Sequence, residues 1–216
     1  MKIVLCDIDE SLIEAWNYTF ADWMVREDRQ EDFEIQIVRD NIFNQPVDAI
    51  VSPANSFGVM DGGLDFLISE MVGWDVQDTL KNIIKTEYHG ELLVGQAHVV
   101  RAKRPTARFP YVISAPTMRV PMILGPNSIN VYLAAKALIN ACKEPDYPGE
   151  MRFNSIVVPG LGTGVGQVPV DICAKQMRQG FEDALFSNFP GSWNEVQVRH
   201  QLLTTDLSNV KDLQKG

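Results

Sequence analysis

Hydrophobic and polar positions along the chain change period repeatedly, and those changes mark its elements. MKIVLCDI, Met1 to Ile8, is a short apolar run of strand character. From Ser11 to Val25, apolar residues Leu12, Ile13, Trp16, Phe20, Trp23 and Met24 recur near every 3.6 positions, which predicts a helix capped by Ser11 with Trp16, Phe20, Trp23 and Met24 in the core. A charged turn, Arg26 to Asp32, leads into alternation, with Phe33, Ile35 and Ile37 set against Glu34, Gln36 and Val38, a strand pattern. Val47 to Val51 is β-branched and too short for a helix, so it reads as a buried strand. Helices are expected over Leu64 to Met71 and Trp74 to Glu87, and strands over Ala97 to Arg101 and Tyr111 to Ser114, with a basic, proline-containing loop between those strands. Asn127 or Ser128 can cap a helix from Ile129 to Cys142. A turn with Pro145, Pro148 and Gly149 precedes a strand from Ser155 to Pro159, and Val170 to Phe186 reads as a helix. FPGSWN is then a turn, Glu195 to Leu203 a last strand, and the tail from Thr204 a surface segment.

Strands that alternate with helices indicate an α/β sheet covered on both faces, within one domain spanning residues 1 to 216. Ligands of such sheets sit at the carboxyl ends of strands. Two loops rich in glycine leave strands at that end. The first runs from Ser52 to Asp65 with Gly58, Gly62 and Gly63; the second, Pro159 to Pro169, has glycines at 160, 162, 164 and 166. The second loop satisfies neither GxGxxG nor the Gly-Lys-Ser/Thr of a P-loop. Its unobstructed backbone N–H groups can still form a nest for a diphosphate, with the Thr163 hydroxyl as a further donor.

Charge narrows the partner. The formal net charge is −9, from 19 basic and 28 acidic residues, and Arg101, Lys103, Arg104 and Arg108 form the only local basic concentration. Phosphate-backbone binding needs clustered positive charge, so nucleic acid is not expected as a partner except as a modified substrate. Cys6, Cys142 and Cys173, and His89, His98 and His200, lack metal-ligand spacing, so reduced cysteines, no metal and no cofactor are expected. The apolar start meets Asp7, Asp9 and Glu10 at once, which excludes a signal peptide or membrane span there and points to a cytoplasmic protein with no membrane partner.

The strand VDAIV, the turn Ser52-Pro53-Ala54-Asn55 and the following Gly62, Gly63 and Asp65 resemble the first binding loop of macrodomains, the ADP-ribose-binding modules. Asp65 stands ten positions after Asn55, the spacing of the family's acidic residue. Gly162-Thr163-Gly164-Val165 resembles the family's second loop, and VGQAHVV and YVISAPTM resemble its intervening strands, so the likeness covers most of Phe33 to Phe186. Two departures stand out: Ser52 replaces the turn's first Asn, and Gly166 stands where the family has an aromatic residue packed on the distal ribose.

The resemblance implies a three-layer α/β fold, a mixed β-sheet with helices on both faces, and a site for ADP-ribose or an ADP-ribosylated substrate. By that likeness Asp40 or Asn41 accepts from the adenine amine, and His200 offers a face to the ring. Ala54, Ser56, Phe57, Gly62 and Gly63 shape the first loop; from their position within that loop alone, the apolar Phe57 and Met60 are candidate walls of the distal-ribose pocket. Gly162, Thr163, Gly164, Val165 and Gly166 cradle the diphosphate. In catalytic relatives the residue matching Asn55 orients the ribose, and the one matching Asp65 activates water. Two readings follow: hydrolysis of an ADP-ribosyl linkage on a protein, a nucleic-acid end or ADP-ribose 1''-phosphate, or non-catalytic recognition of ADP-ribose or a related signalling nucleotide. A remote alternative comes from VLCDIDESL, which resembles the first motif of haloacid-dehalogenase-type phosphatases, with Asp7 as nucleophile and Asp9 as general acid, although that family's later lysine and paired-acid motif are missing.

Overall fold

A computed structural model describes residues 1–23, 33–104, 107–143, 151–186 and 190–204. The expected turns at Arg26 to Asp32 and around Pro145, Pro148 and Gly149, together with Met24, Val25, Phe189 and the tail beyond Thr204, lie outside the described residues. Six strands form one sheet: β1 (Lys2–Asp7), β2 (Glu34–Arg39), β3 (Ala49–Ser52), β4 (His98–Arg101), β5 (Tyr111–Ser114) and β6 (Ser155–Val158), in the order β2-β1-β6-β3-β5-β4. All neighbours run parallel except β4, which pairs antiparallel with β5. The sheet is therefore mixed.

Side-chain alternation explains how a few short strands support two cores. Successive residues of a strand face opposite sides. Ile3 and Leu5, Ala49 and Val51, and Ile156 and Val158 join one core with helices α1 (Glu10–Thr19), α4 (Asn130–Ala141) and α5 (Val170–Phe186). Val4 and Cys6, Ile50, and Val157 point the other way, onto α2 (Gly63–Val72) and α3 (Asp75–Glu87). A strand buried on both faces must be apolar at every position, which is why β1, β3 and β6 are continuous apolar runs.

Asp9, not Ser11, caps the first helix, two positions earlier than expected: its Oδ1 accepts from the Ser11 N–H at 2.9 Å, and the helix ends at Thr19. Trp16 and Phe20 are fully buried and Trp23 is buried. Cys6, Cys142 and Cys173 are buried free thiols. No helix of the described residues is long and apolar enough to cross a membrane.

One expected element is wrong. Glu195 to Leu203, read as a strand, belongs to helix α6 (Trp193–Leu203). The Val196 and Val198 alternation suggested a strand, yet Ser192 caps a helix there: the Ser192 Oγ accepts from Glu195 N–H, and the Glu195 carboxylate accepts from the N–H of Gly191, one residue before the cap. Only Leu203 of α6 is buried, so its weak apolar periodicity left the local cap as the deciding signal.

Candidate functional site

The carboxyl ends of β2, β1, β6 and β3 lie side by side, and two adjoining clefts open there. One, of about 560 Å³, is mainly apolar, with Cys6, Ile42, Phe43, Leu64, Leu67 and Met71 in its walls and Asp40, Asn41 and Glu70 at its polar edge. The other, of about 680 Å³, lies between the two glycine loops. Asp7, Leu64 and Pro159 belong to both, so the two form a continuous depression.

Asp65 is the chemically distinctive group of the larger cleft. It sits in the first turn of α2 and retains 9% of its exposure. The Ser52 Oγ, fully buried at the end of β3, donates to Asp65 Oδ1 at 2.5 Å. Burial pushes the carboxyl up to about 6, while the Ser52 hydrogen bond pulls it back down. The result is a carboxylate that titrates near neutrality and faces a ligand-sized cleft. Asn55, half-buried beside it, braces the loop: Nδ2 donates to Val59 O at 2.7 Å, and Oδ1 accepts from Phe57 N–H and Val59 N–H.

The second loop works through its backbone. Gly160 N–H donates to Asp7 Oδ2, Gln167 N–H to Gly164 O and Val168 N–H to Gly162 O. Among the described residues, the N–H groups of residues 162 to 166 have no protein acceptor. Five consecutive free donors beside a cleft suit a polyphosphate. Among the described residues, neither cleft has a Lys, Arg or His in its lining. A Cβ on Gly166 would stand 2.4 Å from Gly162 O, so this loop cannot carry the aromatic residue found there in the family. Leu124, whose N–H donates to Gly166 O at 2.8 Å, packs against that position instead.

Of the residues expected at the site, Ala54, Asn55, Gly62, Gly63, Asp65, Gly162, Thr163, Gly164, Val165 and Gly166 line the larger cleft, and Asp40 and Asn41 edge the apolar one. The Asp40 carboxylate already accepts from Asn44 and Gln45 side chains, and the Asn44 bond, first among its causes, holds it below the usual range. Asn41 caps the short 3-10 turn Ile42–Asn44. Ser56 and Phe57 line neither cleft: Ser56 is buried and tied to Arg119 and Leu92, and the Phe57 ring lies 5.0 Å below the Arg119 guanidinium. Met60 is 1% exposed and packs into the core rather than walling a pocket. His200 lies on α6 and lines neither cleft.

The larger cleft also contains residues outside the set expected for the ADP-ribose site, Asp7, Asp9, Asp61 and Thr117 among them. Asp7 and Asp9 line the larger cleft, brought there by the β1–α1 unit outside the resembling segment. Asp7 is committed to structure, since Oδ1 accepts from Ile8 and Asp9 N–H while Oδ2 accepts from Gly160 N–H. Its likeness to a phosphatase nucleophile therefore reflects a strand end that feeds a helix cap. Thr117 also lines the cleft, and its buried hydroxyl has no hydrogen-bond partner among the described residues. Its only advance signal was the small-residue, proline turn SAPT that follows β5.

A three-layer α/β domain with two glycine loops at the carboxyl edge of a mixed sheet, one backbone nest and one buried acid, defines a nucleotide-type ligand-binding protein. The Macro domain family model matches residues 51–177, and the chain belongs to the macrodomain family. An uncharacterized protein of Aquifex aeolicus is 31% identical over 144 residues, covering 67% of this chain and 78% of that one. Among solved structures, the macrodomain of Thermus aquaticus DarG shares 25% identity with a TM-score of 0.53, covering 67% of this chain and 88% of that one. A mutant of the Oceanobacillus iheyensis macrodomain with ADP-ribose has a TM-score of 0.55 at 18% identity, covering 76% and 88%.

Proposed function

We propose that this macrodomain binds ADP-ribose, or a molecule carrying an ADP-ribosyl group, across the two clefts and hydrolyses the ADP-ribosyl linkage with Asp65 as general base. The observation that carries the catalytic part is the buried Asp65 carboxylate, raised to about 6 and facing the cleft. A base that titrates there is mostly ionised at pH 7 yet basic enough to take a proton from water. That water's oxygen attacks the anomeric carbon, the bond from that carbon to the acceptor breaks, and the proton taken by Asp65 passes to the departing acceptor, which returns the base to its ionised form. The 162–166 nest is suited to holding the diphosphate, and the apolar cleft is suited to the base. The Oceanobacillus iheyensis structures with ADP-ribose and with ADP support this reading of the likeness.

The test is release of free ADP-ribose from ADP-ribosylated protein and of phosphate from ADP-ribose 1''-phosphate. Turnover by the native chain that falls by about 10²–10⁴-fold in Asp65→Asn is expected for a general base. Binding of ADP-ribose with no turnover of either substrate would make the protein a reader.

A further inference from the structure

We propose that Ser52 is the positioning residue for Asp65: it holds Oδ1 at the back of the cleft, so that Oδ2 alone is presented to water or ligand. This rests on the hydrolase reading for its catalytic consequence, but its geometric content stands on the structure. Ser52 is fully buried on β3, and its hydroxyl lies 2.5 Å from Asp65 Oδ1. Oδ2 has no protein hydrogen bond among the described residues, and Asp65 lines the cleft. The two residues are 13 positions apart and meet because α2 folds back over the end of β3.

The substitution that distinguishes this turn from the family pattern thus has a specific use. A serine hydroxyl is short, and here its hydrogen points to one carboxylate oxygen. An Asp with both oxygens free could rotate about its terminal torsion, a broad and roughly two-fold one, and present either oxygen. With Oδ1 fixed, the lone pair that takes the proton has one direction. The hydroxyl also favours the charged form and offsets part of the burial that disfavours it.

No opposite charge shares this task among the described residues. β3 carries no ionisable residue between Ala49 and Ser52, and the ionisable groups that line the cleft with Asp65 are Asp7, Asp9 and Asp61. Among the side chains of the described residues, the Ser52 hydroxyl is the one whose contact favours the charged form of Asp65, and it acts beside the N-terminus of α2, whose first turn holds the carboxylate.

The experiment is Ser52→Ala, with Ser52→Thr as the conservative variant that keeps the hydroxyl. The first readout is the titration of the Asp65 carboxyl carbon by NMR in ¹³C-labelled protein, which requires no ligand and no activity. Loss of one hydrogen bond to the charged form should raise its midpoint in Ser52→Ala by roughly one pH unit, a tenfold tighter hold on the proton. The threonine variant should stay near the native midpoint. The second readout is the pH profile of turnover, whose acidic limb should move up by the same amount. An unshifted NMR midpoint in a Ser52→Ala protein with a native-like melting transition would overturn the inference. A shifted midpoint in a protein without hydrolase activity would leave the pairing intact and reject only the catalytic reading.

Discussion

The two glycine loops reach the same cleft by different means. In the first, side chains govern: Asn55 braces its turn, the Gln77 side chain holds Met60 N–H at 2.8 Å, and Ser52 fixes Asp65. In the second, the backbone governs: residues 162 to 166 present free N–H groups, and a Cβ on Gly160 or Gly166 would collide with Leu12 or with Gly162 O. Under the proposed function, the difference separates chemistry from binding. A side chain can be tuned in acidity by its neighbours, whereas a row of amides gives a fixed, neutral cradle whose charge never changes with pH. The proposed backbone cradle would also let a chain of net charge −9 hold a polyphosphate with no cationic side chain among the described residues of the cleft lining.

The largest effect that should sharpen this contrast is the pH dependence of stability. Asp65 is raised from 3.8 to about 6, so the folded state binds its proton more tightly than the unfolded chain does. This contribution is fully present below 3.8, is lost as pH rises through about 6, and amounts to roughly 3 kcal/mol. Asp65→Asn should remove it, leaving the variant more stable than the native protein at pH 8 but not at pH 4, as read by urea unfolding. Next comes Gly166→Ala, where overpacking against a carbonyl costs about 1–3 kcal/mol and displaces the cradle. It should weaken ADP-ribose binding by at least about tenfold while leaving the Asp65 titration in place, measured by calorimetry and NMR. The smallest is Gly62→Ala: a Cβ there meets nothing within 4 Å and φ is −143°, so only the poorer helix N-cap is felt, and the loss should be at most about 1 kcal/mol in thermal melts. Equal damage from Gly62→Ala and Gly166→Ala would break the comparison.

Much of the sheet was legible because β1, β3 and β6 are buried on both faces and so carry unbroken apolar runs. The helix α5 agrees with its expected bounds for a different reason, a long apolar period over Val170 to Phe186. What failed was local or non-local at the wrong scale. Helix α6 has almost no apolar face, so the alternation of Val196 and Val198 outweighed the Ser192–Glu195 cap. Met60 lies within a glycine loop in sequence yet is swallowed by the core beneath α3. The place of Asp7 and Asp9 at the cleft depends on β1 pairing with β6, 153 residues from Asp7 to Gly160. The Ser52–Asp65 pair likewise exists only once α2 has closed over β3. Spacing between Asn55 and Asp65 could suggest a site; only the fold shows which hydroxyl sets the acid.

The most direct test of the central claim is a calorimetric titration of the native chain with ADP-ribose, run beside Gly166→Ala and Asp65→Asn. One-to-one binding that survives in Asp65→Asn and is weakened in Gly166→Ala is the predicted result, since the second loop binds and the first reacts. No measurable binding by the native chain, or binding that Gly166→Ala leaves unchanged, would contradict it.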